Sequence, residues 1–472
     1  MARISLLSLP LAAPARGAAL RGSNLGERLL PWLLPLALFA LWWLASRNHW
    51  MSEQILPPPS LVWSSAVELA GGELWSHLAI SLQRLFWGLL AGIGAGAVLG
   101  ALLGFSARAE RLVFPTFGAL AQVPTLAWIP LFMVFFGIGE PLKLVVLVKA
   151  IVVPVTLHTL VGVRDAQPNL REAARVLRLP THLLIRRLIL PAALPAFMAG
   201  VRLALAAGWT SLLAVELLAS SEGIGYLMVW ARQLFMLDIV FVCIVVIGVL
   251  GVAMDRGIGW LDRAWVHWPH PATAQIRRGP RYHGWQRLQP GLLPLLLLAL
   301  WQVAAVQGWV DANILASPWA VLLTTAHGVL DGSLSGALGK SLARMLGGLL
   351  LGAGLGFALG LWLGLSRRSE QLLGPTLAAL RQIAIFAWVP LLTAWFGLGE
   401  LAKGVFIALA AFFPLFIATQ RSVLNLSPQL SEAAQVLRLG LAQRLQRLVL
   451  PGAAAGIFAG LRLSLIYAWL GT

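Results

Sequence analysis

The sequence predicts an all-α polytopic membrane protein made of two tandem homologous helical bundles, and three observations carry that prediction. The 472-residue chain is 59% hydrophobic and only 11% charged, with a mean hydropathy of +0.82, a balance that no soluble core of this size requires. About eleven apolar segments approach the roughly 20 residues that one helical crossing of a 30 Å hydrocarbon layer needs. Residues 81–209 also align on residues 341–469 without a gap, with identity at roughly two positions in five, which marks an internal duplication. Upstream, Leu41-Trp42 matches Leu300-Trp301 and Ile55-Leu56 matches Ile314-Leu315.

The net charge of +17 raises the possibility of a nucleic-acid partner, but the arginines sit in short segments between apolar runs and not on one basic face. No nucleic acid is expected; membrane lipid is. The single cysteine, Cys243, lies inside an apolar run, so neither a disulfide framework nor a thiolate metal site is available. Residues 1–30 read as a basic tail. The start resembles a secretory signal only in part, because Pro10 breaks its short apolar stretch.

In the first half, residues 31–266 with a core at 81–262, apolar spans are expected at about 31–46, 83–105, 112–136, 141–163, 191–218 and 236–258. Six crossings return the chain to its starting side. Arg108, Arg111, Arg164, Arg171, Arg175, Arg178, Arg186 and Arg187 all fall on the side shared with the N-terminus, which the positive-inside rule makes cytoplasmic. The loops Asn48–His77, Gly137–Glu140 and Ser220–Asp238 then face outward. Residues 267–290 carry Pro269, Pro271, Pro280 and Pro290 among four arginines, a composition that will not enter lipid and reads as a cytosolic linker. The second half occupies 291–472, with its core at 341–472 and five spans.

The second span of each copy carries a packing signal. Gly88, Gly92, Gly96, Gly100 and Gly104 recur every fourth residue, and Gly348, Gly352, Gly356, Gly360 and Gly364 repeat them. Such ridges let helix backbones approach closely in lipid, where no hydrophobic force drives helices together. Their likeness to a dinucleotide fingerprint lacks the preceding strand. Gly339-Lys340-Ser341 imitates the end of a phosphate loop, but its first glycine would fall at Leu334. No nucleotide, cofactor, metal or catalytic site is expected in this chain.

The most specific motif lies in the longest loop of each half. Glu172-Ala173-Ala174 is followed by Arg178, Leu188, Leu190 and Pro191; Glu432-Ala433-Ala434 is followed at identical spacing by Arg438, Leu448, Leu450 and Pro451. This resembles the Glu-Ala-Ala loop of bacterial ABC-importer permeases. Gly200-Val201-Arg202-Leu203 with Gly460-Leu461-Arg462-Leu463, and Phe136-Gly137-Ile138-Gly139-Glu140 with Phe396-Gly397-Leu398-Gly399-Glu400, resemble its aliphatic-sulfonate, taurine and nitrate branch. The resemblance implies a type I importer-like permease in a bacterial inner membrane. It implies that Glu172, Ala173, Ala174, Arg178, Glu432, Ala433, Ala434 and Arg438 form the interface to two ABC ATPase subunits, and that an outer solute-binding protein delivers a small oxyanion. ATP hydrolysis would reside in those separate subunits. The family's usual glycine is arginine at Arg178 and Arg438. A short helix from about Asn169 to Leu177 after Pro168 would expose two small alanines to a partner. Its end would be costly in a left-handed turn, by about 1–2 kcal/mol, unless the turn is not left-handed or a contact holds Arg178.

Glu216, in the fifth span, is a candidate pathway group because lipid exposure of a carboxylate costs roughly 2.5 kcal/mol or more. Arg84 and Arg344, at the outer starts of the second spans, are candidates to attract an anion or to snorkel. Lys143 and Lys403 pose the same choice, and Lys149 and His158 have no counterparts in Leu409 and Ala418. A secondary transporter with parallel repeats would need a midplane ion site rich in acidic groups, and an ion channel a repeated filter; neither is legible. The repeat arithmetic further predicts a continuation of roughly 50 to 60 residues beyond Thr472, with a sixth span and a counterpart of Glu216.

Overall fold

A computed structural model of the chain describes residues 25–164, 176–266, 289–309, 311, 314–427, 429, 432, 437 and 440–472. Among them, nine helices are long and apolar enough to cross a membrane, or up to eleven if each of two bent helix pairs is one span. No strand occurs among the described residues, as expected where lipid cannot satisfy an open sheet edge.

The first half runs through α1 (Leu25–Arg47), α2 (Pro59–Gly71), α3 (Leu74–Phe105), α4 (Ala107–Gln122), α5 (Ile129–Phe136), α6 (Glu140–Arg164), α7 (Leu190–Ala219), α8 (Ile224–Gln233) and α9 (Leu237–Trp265). The second follows as α10 (Gln289–Val306), α11 (Pro318–Leu330), α12 (Ser333–Leu365), α13 (Arg367–Gln382), α14 (Val389–Phe396), α15 (Glu400–Leu424) and α16 (Leu450–Leu470). Local chemistry sets several boundaries. Ser106 and Ser366 cap α4 and α13 by accepting from the amides of Ala109 (3.2 Å) and Ser369 (3.3 Å). Gly137 and Gly397 end α5 and α14 at φ of +68° and +72°, where a side chain would be strained. Pro191 and Pro451 open α7 and α16, where a missing amide hydrogen is harmless.

The span expected at 112–136 is not one straight helix. α4 ends at Gln122, a single 3₁₀ turn follows at Thr125–Trp128, and the axis bends by 95°; the second half bends by 92° at the same place. Pro124 does not cause this, because Ala384 occupies its place in the second half. Two outward loops expected from sequence contain short helices, α2 and α8.

Each half is organised around a helix pair in close contact. Along α3, a Cβ at Gly88 would lie 2.9 Å from Leu147, at Gly92 2.6 Å from Ile151, at Gly96 2.8 Å from Val155, at Gly100 2.6 Å from the Thr156 carbonyl and at Gly104 2.7 Å from Val163. The constant sequence offset means that α3 and α6 run parallel, with one glycine per turn facing one residue of its neighbour. In the second half, Gly348 meets Ile407 and Gly364 meets Val423, while Gly356 and Gly360 would each place a Cβ 2.5 Å from a carbonyl of α15. α7 and α16 pack on the other faces of α6 and α15.

The halves are interlocked. α1 packs on α13 of the second half, and α10 packs on α4 of the first. The largest apolar cluster, centred on Ile151, Leu212 and Ile247, takes in Ala384, Ala387 and Leu391 from across the junction. Trp395 donates its indole N–H to the Ile55 carbonyl at 3.0 Å, its ring lies 6.4 Å from that of Phe241, and a Cβ on Gly251 would lie 2.5 Å from the Gln382 carbonyl.

Replacing Gly96 or Gly356 with leucine is expected to lower stability by about 1–3 kcal/mol or more, because the side chain must displace backbone as well as neighbouring side chains. Thermal unfolding in detergent checks this; an unchanged midpoint in both variants would contradict the packing argument.

Candidate functional site

Four helices meet at the Glu140 end of the first half around an ion network whose Arg84 and Glu216 are buried and whose Glu140 reaches the surface. Arg84 lies one turn before Gly88, so the glycine stripe carries its guanidinium onto the first turn of α6. Its Nε donates to Glu140 Oε2 at 2.8 Å, and its Nη1 donates to Glu216 Oε1 at 2.9 Å and to the Glu222 carbonyl at 2.9 Å. Lys143 Nζ donates to the Glu140 carboxylate at 2.8 Å. Ser81 Oγ donates to Glu216 at 2.8 Å and accepts from the Ile224 amide at 2.9 Å. The Gly225 amide donates to the second Glu216 oxygen at 3.1 Å. Arg84 and Glu216 retain only 4% and 1% exposure, so each charge depends on the other and on this ring of donors and acceptors.

The loop that closes the ring needs small residues. Gly223 has φ of +104°, and a Cβ at Gly223 or Gly225 would strike the Glu216 side chain. Gly223 also donates its amide to His77 Nδ1 at 3.1 Å. The network thus ties α3, α6, α7 and the start of α8 into one unit.

Sequence reading singled out Arg84 and Glu216 as pathway candidates; they meet each other inside the first half, out of solvent contact. It did not single out Ser81 or Glu140 as their partners. A signal for both was present, because Ser81, Arg84, Glu140 and Lys143 all recur at one fixed spacing as Ser341, Arg344, Glu400 and Lys403. In the second half Arg344 donates to Glu400 at 2.6 Å and 2.8 Å, and Lys403 does so at 3.0 Å. Both of those partners are more exposed than their counterparts in the first half.

At the bend of the first half, Lys149 Nζ donates to the Val123 carbonyl at 2.7 Å and lies 5.5 Å from the Trp128 ring. Breaking the helix after Gln122 leaves carbonyls without intrahelical partners, and the lysine caps one of them. Leu409 cannot do this in the second half. Among the described residues no group of three or more His, Cys, Asp and Glu could hold a metal ion.

Of the Glu-Ala-Ala loops, Glu172, Ala173, Ala174, Ala433, Ala434 and Arg438 lie outside the described residues. Glu432 is helical and exposed. Arg178 has φ of +48°, the left-handed region, and its side chain is exposed without a hydrogen-bond partner among the described residues. The sequence leaves open a turn that is not left-handed or a contact that holds Arg178; the turn is left-handed, and no such contact occurs among the described residues. Beside it, Val176 and Leu177 are 83% and 70% exposed, and Leu437 in the second loop is 68% exposed. Arg164, the last residue of α6, pairs with Glu110 at 2.6 Å and anchors the start of the first loop. Two π-helical turns, Leu184–Ile189 and Leu445–Val449, lead from the loops into α7 and α16.

Glu216→Ala is expected to destabilise the protein by about 3 kcal/mol, since it strands a buried guanidinium that keeps only part of its pairing. Glu216→Gln should lose less; denaturant titration of the two variants against wild type reads the difference. Arg178→Gly is expected to raise the unfolding midpoint by relieving about 1 kcal/mol of left-handed strain. A lowered midpoint would mean that the arginine side chain contributes more than its backbone costs.

Residues 88–267 and 352–472 match the sequence profile of the family described as binding-protein-dependent transport system inner membrane component. Two relatives named as aliphatic sulfonates transport permease proteins align with about half of the chain. The SsuC protein of Bacillus subtilis is 38% identical over 237 residues, 50% of this chain and 86% of its own. That of Escherichia coli is 39% identical over 242 residues, 51% of this chain and 92% of its own. The taurine transport system permease protein TauC of Escherichia coli is 31% identical over 269 residues, 53% of this chain and 98% of its own. One relative's length thus fits one half of the duplicated fold, the profile matches once in each half, and the chain belongs to the family of inner membrane components of binding-protein-dependent transport systems.

Proposed function

We propose that this chain forms both halves of the membrane pathway of an ATP-driven importer for a small oxyanion such as a sulfonate, taurine or nitrate. The observation that carries this reading is the Glu-Ala-Ala loop, present in both halves at identical spacing. Exposed Val176, Leu177 and Leu437 beside it support a protein partner, because apolar side chains among arginines at a helix connection are neither in a core nor at lipid depth. Each loop docks on one ATPase subunit, so that closure of the ATPase pair becomes rigid-body movement of the two halves. The interface residues are Glu172, Ala173, Ala174 and Arg178 in one half and Glu432, Ala433, Ala434 and Arg438 in the other.

The N-terminus and both loops are cytoplasmic in this reading, which puts the Arg84–Glu216 network at the outer face of a bacterial inner membrane, below a solute-binding protein. The names of the relatives support the solute class. The chain itself catalyses nothing; hydrolysis belongs to the ATPase partners.

Replacing Glu172 or Glu432 with lysine is expected to uncouple ATP hydrolysis from uptake while leaving insertion intact. Reconstituted complexes with the binding protein and ATPase subunits, assayed for both activities, check this. Normal transport and normal assembly in both variants would sink the docking assignment.

A further inference from the structure

Four charged side chains from four helices, two in each half, converge where the halves face each other. Arg202 on α7 donates to Asp255 on α9 through both ends of its fork, at 2.8 Å and 2.9 Å. Across the junction, Arg381 at the end of α13 lies within electrostatic range of Arg202, Asp255 and Arg421 of α15. Packing supports this placement, since α9 touches α13 through Gly248 against Ile383 and Gly251 against Gln382. Neither Arg381 nor Arg421 has an ion-pair or hydrogen-bond partner among the described residues, and Asp255 is the only carboxylate acting on Arg381. Among the described residues, three cations therefore share one anion.

The depth of the cluster restricts what can balance it. At 1.5 Å per residue, Arg202 and Asp255 lie roughly 26 Å below the outer ends of their helices, and Arg421 roughly 31 Å below that of α15. A hydrocarbon core of about 30 Å puts all three near its inner boundary. Their side chains nevertheless reach the surface of the chain, at 51% exposure for Arg202 and 31% for Asp255. Charges at that depth avoid lipid and line water. An unpaired pair of guanidiniums beside water is a receptor for a sulfonate, sulfate, nitrate or phosphate group, which the planar fork grips through two parallel hydrogen bonds.

We infer that Arg381 and Arg421, faced by the Arg202–Asp255 pair, form an oxyanion-binding station at the inner mouth of the passage between the halves. This rests on the importer reading for orientation and solute class. Asp255 holds the Arg202 fork in place and offsets part of the repulsion among the cations, so a bound anion completes the charge balance. Because α7 and α9 belong to one half and α13 and α15 to the other, rigid-body separation of the halves takes the station apart and lowers its affinity. Release into the cytosol is then coupled to the movement that opens the inner mouth. The same chemistry would also accept a lipid phosphate from the inner leaflet.

The test uses the full chain assembled with its ATPase subunits in lipid nanodiscs. Arginines are labelled with phenylglyoxal, and adducts on Arg381 and Arg421 are followed by peptide mass spectrometry with and without ethanesulfonate, sulfate or nitrate. Protection of about tenfold by at least one of these anions in phosphatidylcholine is expected, equivalent to about 1.4 kcal/mol of binding. In proteoliposomes with the binding protein, Arg381→Gln should lower ethanesulfonate uptake about tenfold with ATPase stimulation retained, and Arg381→Lys should restore only part of it. Labelling that no free anion slows would overturn the station. So would protection by phosphatidylglycerol alone, which would assign the cluster to lipid headgroups. If wild type transports none of the three anions while one still protects Arg381, the station stands and the solute class falls. The wild-type labelling decides the matter even if the Arg381→Gln variant fails to assemble.

Discussion

Backbone-close packing of two parallel helices through a glycine stripe is the constraint on which each half depends. In water, apolar area would hold α3 to α6; in lipid it cannot, because the tails are as apolar as the side chains. What remains is dispersion between surfaces that fit, and one glycine per turn lets Leu147, Ile151, Val155 and Val163 sit against bare backbone. This contact fixes the rotation and the register of the pair together. Arg84 is the next position on the same stripe, so the register that seats Gly88 on Leu147 also sets the guanidinium on Glu140. The ion network follows from the packing. It adds specificity, because a slip of one turn would leave Arg84 and Glu216 buried and unpaired.

Much of this was legible in the sequence, and what was not has physical reasons. The duplication, the glycine stripes and the Glu-Ala-Ala loops are periodic or repeated at fixed spacing, so the second copy repeats the signal of the first. Span ends were less sharp: Glu140–Arg164 and the expected 141–163 agree closely, whereas α3 begins nine residues before its apolar run at Leu74. Ser76, His77 and Ser81 interrupt the apolar run over the first turns of α3, although Leu74 and Leu78 there are part of the buried core. The 95° bend was hidden because a window of apolar residues reads the same whether the axis is straight or broken. Proline at 124 invites a local explanation, yet the second half bends as sharply without it. The bend therefore belongs to the tertiary packing and not to one residue.

Candidate charges were found correctly as charges and less well as partners. Glu216 stands out in an apolar run, but nothing local to it names Arg84, from which three helices separate it. The repeat was the available clue: Arg84, Glu140 and Lys143 recur together as Arg344, Glu400 and Lys403. Recurrence of three charged residues at unchanged mutual spacing is what a shared contact requires. At Arg178 the sequence offers a turn that is not left-handed or a holding contact; the backbone is left-handed with no contact to the side chain among the described residues.

Comparison of the two halves separates packing from passage. Positions that face inward within a half are kept in both copies: the five glycines, the Arg-Glu-Lys triad and the serine beside it. Charged positions at the bends and the junction are kept only in part: Arg202 recurs as Arg462, whereas others differ. Lys149 matches Leu409, Arg381 matches Ala121, and Arg421 matches Val161. In a symmetric pair of identical subunits every arginine introduced at the junction would appear twice and face its own copy, doubling the like-charge repulsion. One fused chain escapes that restriction, because each half can change alone. The bends illustrate it: one is capped by a lysine of its own half, and the other is packed against glycines of its partner, leaving Arg381 free to face the junction. A duplicated permease can thus hold its scaffold twofold while building an asymmetric lining, and the unpaired cations at the junction are where that freedom has been used.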